Sequence, residues 1–380
     1  MRNCAIQRTD KPPDSGYRPR TILLVDMDGF FSSIEMVEHP ELVGCPVVVG
    51  ADPKEGAGRG VVSTCSYEAR EYGVHSGMPI TKAYRLCPDA RFLPVTMALY
   101  QAVSARIMKI LRSYAHTDKF QKVSIDEAFL EITTDDSADA IRVAQDIKKE
   151  VLKKEKLTCS IGIGPNKLVA KIASDVEKPD GLTVVVHSEV QEFLDPMPIT
   201  KIPGIGKKTG KTLGDIGIET IRNLRVYDVK KLVLRFGKWG YQMHDFACGI
   251  DKREVKEAPT VKSVSRELTF DEDTADPGVI YGSIDVLADR THRALIKTGY
   301  QFRTVSVKVR FEDFNTHTRA KSIGFPGSDL QLVKNISAEL VGEFIGERKI
   351  RLLGVRLSNL LKTDTRQTSI YEFGGSVDCE

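Results

Sequence analysis

Carboxylates embedded in otherwise apolar strands constrain this chain more than any other feature. Thr21 to Ser33 reads TILLVDMDGFFSS, a short hydrophobic strand over Ile22 to Val25 that ends in Asp26, with Asp28 two residues on. A second segment, SIDEAFLEI from Ser124 to Ile132, is aliphatic and aromatic but carries adjacent Asp126 and Glu127. An acid within an apolar strand is costly to bury unless it is paired or holds a metal. Two such strands with acids at comparable points predict carboxylates converging on divalent cations. Hard oxygen ligands of this kind suit Mg²⁺ or Mn²⁺, with substrate phosphates completing the shell. Side-chain alternation alone puts Asp26 and Asp28 on one strand face and would make them a pair.

The 380 residues leave room for three or four small domains, each able to bury a core. Hydrophobic residues at 41% and charged residues at 28% are those of an ordinary globular protein. With a net charge of only +3, any nucleic-acid surface has to come from local clustering. The seven cysteines are scattered singly, without a C-x-x-C, which fits a reducing compartment and argues against structural zinc. Residues 1–20 are polar and proline-containing and read as a flexible leader, not a signal peptide. No run approaches the ~20 apolar residues of a membrane span. The expectation is a cytoplasmic protein with no membrane association.

Strand and helix signals alternate from the Asp26 strand onward, as in an α+β or α/β layer. CPVVVG at 45–50 reads as a buried strand, followed by a Gly-rich turn over 51–60 and a strand-to-helix passage, GVVSTCSYEAREYGV. A long helix is predicted near 97–114 and a hairpin over 119–132. A helix near 138–154, a strand near 158–163 and a helix near 166–176 follow. At Ile199 the texture changes: ITKIPGIGKKTGKTLGDIGIETI places Gly-x-Gly between two short helices, with Lys201, Lys207, Lys208 and Lys211 preceding the first acid, Asp215. Backbone N–H groups at Gly204 to Gly206 and the helix start behind them can hold a phosphate whatever the base sequence. A plain Gly-terminated helix turn is the alternative.

After a polar linker, residues 263–358 show strand, helix, strand, strand, helix and strand in turn, a β-α-β-β-α-β order that predicts a ferredoxin-like sheet with both helices on one face. In QFRTVSVKVR, Val305, Val307 and Val309 point one way, and Thr304, Ser306, Lys308 and Arg310 the other. Arg348, Lys349, Arg351 and Arg356 near the last strand add to the second face. A hydroxyl-rich basic face predicts an anionic partner, and beside the Gly-x-Gly element nucleic acid is preferred over mere solvation.

DMDGFF, YEAR at Tyr67 to Arg70, SIDEAFLEI, GIGPNKLVAKIASDVEKPDG and IPGIGKKTGKTL occur in the order found in Y-family translesion DNA polymerases. Over residues 20–362 the chain resembles the DNA polymerase IV branch of that family. The resemblance implies an α+β multidomain, right-hand polymerase. Its ferredoxin-like palm comprises 21–29 and 98–186, its small fingers 30–97 and its helix-hairpin-helix thumb 187–250. A linker follows at 251–262, then a β-α-β-β-α-β little finger at 263–362 and a tail at 363–380. It also implies Asp26, Asp126 and Glu127 as catalytic carboxylates holding two Mg²⁺ ions, replaceable by Mn²⁺, with the main-chain carbonyl of Met27 near one of them. Asp28 becomes a supporting residue, against the strand-face pairing above.

Nucleotidyl transfer asks for such a set. The primer 3′-oxygen must lose its proton and meet the α-phosphate in line while pyrophosphate leaves. Two cations roughly 3.5–4 Å apart can stabilise the attacking and leaving oxygens together, and cationic side chains neutralise the triphosphate. Tyr67, Arg70 and Lys178 match the family positions that contact the incoming dNTP. Phe31 matches the steric gate that leaves no room for a 2′-hydroxyl, although one more core phenylalanine beside Phe30 would read the same. An overpacked contact of that type costs ~1–3 kcal/mol, enough to discriminate sugars. Gly204, Gly206, Lys207, Lys308, Arg310 and Arg356 are the expected contacts with primer–template DNA. Small residues Ser63 to Ser66, ahead of Tyr67, imply a roomy base-pair pocket, hence low fidelity and tolerance of damaged template bases. A proofreading exonuclease would need a further domain of ~100–200 residues, for which the four assigned domains leave no space.

In the tail, QTSIYEF spaces Gln367, Ile370 and Phe373 at one-turn intervals and resembles the peptide by which polymerases dock on a sliding clamp, although Gly374 replaces the usual second aromatic. Tethering of that kind raises local concentration at a primer end. A monomer is expected. Two other readings compete: a non-catalytic DNA-binding scaffold with a polymerase fold, and a palm-like nucleotide cyclase. Retention of Asp26, Asp126 and Glu127 counts against the first. The cyclase leaves the helix-hairpin-helix and the basic sheet unexplained.

Overall fold

The computed structural model describes residues 20–116, 118–132, 137–257, 261–346 and 348–362. Nearly all of the leader, and the tail with Gln367, Ile370 and Phe373, lie outside the described residues. The chain divides into two compact units, one drawn from residues up to 56 and from 61–258, the other from 57–60 and from 259 onward.

The first unit is built on a five-stranded sheet with Thr21–Met27 at its centre. Its order is Phe120–Lys122, Glu127–Ile132, Thr21–Met27, Cys159–Gly164, Leu182–Val184. The central strand runs antiparallel to both neighbours, and the last pair is parallel. Ile22 to Val25 are wholly buried because both faces of this strand are covered. Leu23, Val25 and Met27 join one core with Tyr100, Ile107 and Leu111 of helix Met97–Tyr114 and Ala144, Ile147 and Val151 of helix Ser137–Glu155. Ile22 and Leu24 face the other way, packing with Phe129, Ala170 and Val255. By the same alternation Asp26 belongs to this second face, and the register puts Glu127 and Ser160 directly on either side of it.

Helix Lys167–Ser174 covers the second face. Asn166 starts it, its side chain accepting from the Val169 amide at 3.0 Å. The helix lies unusually close to the strand below because Gly162 has no side chain: a Cβ there would stand 2.1 Å from the Ala170 carbonyl oxygen and 2.3 Å from the Ser174 nitrogen. Leu168, Val169, Ile172 and Ala173 of this helix share a core with Ile202, Ile205, Leu213, Leu232, Met243 and Phe246 of the helical region. That region consists of helices Lys207–Gly214, Ile221–Val226, Val229–Phe236 and Lys238–Ala247. A separate three-stranded sheet, ordered Val62–Cys65, Val47–Gly50, Arg91–Leu93, encloses its own small core around Val48, Cys65, Ile80 and Ala83.

The second unit carries a five-stranded antiparallel sheet, four strands of which are ordered Thr316–Gly327, Tyr300–Phe311, Ile350–Ser358, Ser263–Thr274, while the short Leu361–Lys362 pairs with the start of Tyr300–Phe311; its helices are Pro277–Ile296 and Leu330–Gly342. This is the β-α-β-β-α-β element order read from the sequence, followed by the short strand Leu361–Lys362. Val305, Val307, Val309 and Phe311 are buried in a core with residues of both helices, including Ile284, Leu287, Val333 and Ile336. No helix among the described residues is long and apolar enough to cross a membrane.

Candidate active site and nucleic-acid interface

Because Asp26 and Glu127 are cross-strand partners on the face beneath helix Lys167–Ser174, both side chains meet what that helix projects downward. This is Lys171. Its Nζ is 3.0 Å from Asp26 Oδ2 and within hydrogen-bond reach of Glu127 Oε1. Lys178 approaches the same Asp26 oxygen at 2.8 Å, and Asp175 stands between the two lysines, 3.8 Å from Lys171 and 3.0 Å from Lys178. Burial opposes ionisation of Asp26. The hydrogen bond with Glu127 and the two ammonium groups outweigh it and hold this carboxyl below the usual range. Glu127 moves the opposite way: burial, then the hydrogen bond with Asp26, push it up to about 7 despite Lys171. Below about pH 7 the pair therefore holds a proton, carried by Glu127.

Asp126 is placed differently. Its Oδ1 accepts from the Ser124 hydroxyl, whose oxygen in turn accepts from the Asp126 and Glu127 amides at 3.2 and 3.0 Å. Its backbone carbonyl accepts from the Met27 amide at 3.1 Å, which ties the two acid-bearing segments together. Among the described residues no group of three or more His, Cys, Asp or Glu side chains is arranged as a ready metal cage. The reason is that Lys171 draws Asp26 and Glu127 to itself, and Ser124 draws Asp126.

Asp28 is the hub of a separate set. It is buried, with Oδ1 accepting from Ser160 Oγ at 2.8 Å and from the Tyr67 hydroxyl at 3.4 Å, and Oδ2 accepting from the Asp180 amide at 2.9 Å. Alternation made Asp28 a companion of Asp26, but Gly29, in the left-handed region at φ 52, turns the chain into helix Phe30–Glu38 and takes Asp28 off the strand. Lys148, on helix Ser137–Glu155, reinforces the same loop by donating to the carbonyls of Cys159 (2.9 Å) and Asp180 (2.6 Å). The loop bearing Lys178 is thus fastened from two sides.

Tyr67 and Arg70 occupy a helix, Tyr67–Glu71, capped by Ser66, with the Arg70 guanidinium 4.6 Å from the Tyr67 ring centre. Burial and then the Asp28 charge raise the Tyr67 phenol well above its ordinary value, so it stays a hydrogen-bond donor. Phe31 stacks on Tyr100 at 4.2 Å between centroids, and Tyr100 is anchored by donating to Glu35. Phe30, not Phe31, is the fully buried ring. Of the small run before Tyr67, Cys65 donates to the Val74 carbonyl and Ser66 caps its helix. Only Ser63 and Thr64 remain to shape a pocket.

Gly204 adopts φ +95 against the Trp239 ring, and Gly206 precedes helix Lys207–Gly214. Lys201, Lys207, Lys208 and Lys211 are all exposed, with no ion pair among the described residues. On the second unit's open sheet face, a groove of about 400 Å³ is lined by Ser265, Glu267, Ser306, Lys308, Thr318 and Arg356. The face is less basic than its alternation suggests. Lys308 pairs with Glu267 at 2.9 Å, Arg348 with Asp313 at 2.6 Å, and Arg310 donates to the Thr316 hydroxyl at 2.8 Å. The register lines up Glu267, Gly354 and Lys308, and the missing Gly354 side chain lets acid and base meet across it. Arg356 is exposed and unpaired among the described residues.

Lys171, Asp175, Ser160 and Lys148 were not singled out from the sequence. The available signal was spacing: Lys171, Asp175 and Lys178 follow i, i+4, i+7, which lines three charges along one side of a helix and its exit.

The sequence and the fold both match known proteins. The impB/mucB/samB family model matches residues 25–175, its C-terminal domain model residues 261–370, and the IMS family HHH motif residues 187–218. DNA polymerase IV 2 of Methanosarcina mazei is 49% identical over 364 residues, covering 95% of this chain and 98% of that protein. DNA polymerase IV of Methanoculleus marisnigri is 49% identical over 355 residues, covering 93% and 98%. Among solved structures, a Y-family DNA polymerase chimera of Dbh and Dpo4 superposes with a TM-score of 0.82 at 32% identity, covering 90% of this chain and 99% of that one. An insertion ternary complex of Dbh DNA polymerase gives a TM-score of 0.63 at 32% identity with the same coverage. With whole-length relatives at this level of identity and the acid-bearing central strands in place, the chain belongs to the Y-family DNA polymerases, in the DNA polymerase IV group.

Proposed function

We propose that this protein adds dNTPs to the 3′ end of a DNA primer under template direction, across damaged as well as intact template bases, using Asp26, Asp126 and Glu127 to hold two Mg²⁺ ions. The observation that carries this reading is the cross-strand pair of buried Asp26 and partly buried Glu127, both held by the Lys171 ammonium group. A site that recruits a side-chain cation to two converging carboxylates has the donor chemistry and the charge for hard divalent metals. Asp126, one residue away, completes the set once its carboxylate leaves Ser124. When bound, the two ions stabilise the attacking primer oxygen and the departing pyrophosphate.

The remaining work belongs to side chains of this protein. Tyr67, Arg70 and Lys178 bind the triphosphate, the first by donating its hydroxyl and the others by charge. Asp28 and Lys148 hold Lys178 where the phosphates arrive. Phe31, kept from swinging by its stack on Tyr100, closes the space a 2′-hydroxyl would need. Gly204, Gly206 and Lys207 bind duplex backbone from the helical region, while Lys308, Arg310 and Arg356 do so from the open sheet. In this assignment 21–29 with 98–186 act as palm, 30–97 as fingers, 187–250 as thumb and 263–362 as little finger. The peptide with Gln367, Ile370 and Phe373 docks on a sliding clamp. Fidelity is low, and Mn²⁺ substitutes for Mg²⁺.

Primer extension in Mg²⁺ on undamaged and abasic templates tests this, with Asp126→Asn alongside. Wild type extends both primers and the variant neither. If wild type binds primer–template yet adds no nucleotide in Mg²⁺ or Mn²⁺, the non-catalytic scaffold replaces the polymerase.

A further inference from the structure

Lys171 has more to do than balance charge. Its Nζ reaches Asp26 and Glu127, the same two carboxylates that the proposed mechanism gives to metal. An ammonium group and a divalent cation repel each other strongly at such distances in a partly buried site. Lys171 therefore has to leave before those carboxylates can act as ligands. The helix backbone cannot carry it away, since Gly162 lets that helix rest directly on the strand. The side chain has to move by itself, and lysine's four-carbon stem allows it. Asp175 is one turn along, already 3.8 Å from Lys171 Nζ, and half-exposed where Asp26 is buried. As the residue closing the helix C-terminus, Asp175 is unfavourably placed against the helix dipole unless a cation accompanies it. It already attracts Lys178 at 3.0 Å.

We infer that Lys171 is the resident counter-ion of the catalytic carboxylates in the metal-free enzyme, and that its transfer to Asp175 frees them, so that Lys171 and Asp175 together set the affinity for divalent cations. This rests on the two-metal reading above. Lys171 opposes metal uptake, and Asp175 favours it by receiving the displaced ammonium group. Lys178, 2.8 Å from the same Asp26 oxygen, has to release it as well, and Asp175, already 3.0 Å away, keeps it beside the site where the triphosphate can draw on it.

The test is Mn²⁺ binding to the full-length protein without DNA or nucleotide, followed by the EPR signal of free Mn²⁺. Wild type is compared with K171M, K171R, D175N and D126N, each checked for folding by circular dichroism. K171M is expected to bind Mn²⁺ roughly tenfold more tightly, to unfold at a lower temperature in EDTA, and to gain more in melting temperature from Mn²⁺. K171R, which keeps the charge, stays within about threefold of wild type. D175N binds several-fold more weakly. Unchanged or weakened binding in folded K171M overturns the inference. If K171M does not fold, unchanged binding in D175N overturns it equally. Mn²⁺ binding by wild type that D126N leaves intact would instead overturn the carboxylate assignment itself, whatever Lys171 does.

Discussion

The shared proton of Asp26 and Glu127 makes the site pH-sensitive in a defined direction. Glu127 holds its proton up to about 7 in the folded protein, raised from 4.5 by burial and then by Asp26. Between those values the folded state binds a proton that the unfolded chain has lost. Stability of the metal-free protein therefore falls as pH rises through that window. Cation binding needs the carboxylate and expels the proton, so it runs the opposite way. Mn²⁺ affinity should climb up to about tenfold per pH unit below 7 and level off above it, with Glu127→Gln flattening the climb. Titrations from pH 5.5 to 8.5 check both. The acids themselves were legible in the sequence, because a carboxylate in an apolar strand demands a reason. Lys171 was not: in KLVAKIAS it looks like any helix lysine, and only the face on which Gly162 packs reveals where it points.

At the scale of elements, the site depends on one close packing. Helix Lys167–Ser174 delivers Lys171 only because Gly162 concedes the space, and Gly162→Val would drive a side chain into the Ala170 carbonyl. The expected cost is about 1–3 kcal/mol or more, read as a lower urea midpoint, together with loss of nucleotide addition as Lys171 and Lys178 shift. The open sheet of the second unit offers a converse case. Glu267 occupies Lys308 across Gly354, so Glu267→Gln should release a cation to the groove. Primer–template affinity should rise a few-fold, and the slope of its logarithm against log salt should steepen by about one. A weaker-binding variant would mean that Lys308 needs Glu267 for its position. Alternation in QFRTVSVKVR revealed which residues share this face. It was silent on which strand lies opposite, and the neutralising acid comes from a strand some 40 positions earlier in the chain.

For the whole molecule, the β-α-β-β-α-β order of residues 263–358 follows from the succession of strand and helix signals, and the uninterrupted apolar run Ile22 to Val25 agrees with burial on both faces, so the order of elements was largely readable. What was not readable is how long-range pairing distributes charge: Asp28 tied to residues 160 and 180, Lys148 to the loop at 180–181, and Lys171 to the central strand and one of its neighbours. Those pairings determine which of many charged residues serve the chemistry. With a net charge of +3, the protein has no bulk attraction for DNA, and binding has to survive the loss of any single carboxylate. Binding and chemistry are therefore separable. The decisive measurement is the single-turnover rate of one dNTP addition in Mg²⁺ for Asp26→Asn, Asp126→Asn and Glu127→Gln, each with its primer–template Kd. Every variant is expected to lose at least about a thousandfold in rate, with Kd within about threefold of wild type. A variant that keeps its rate within about tenfold, or that loses rate only because it no longer binds DNA, would contradict the role given to these three carboxylates.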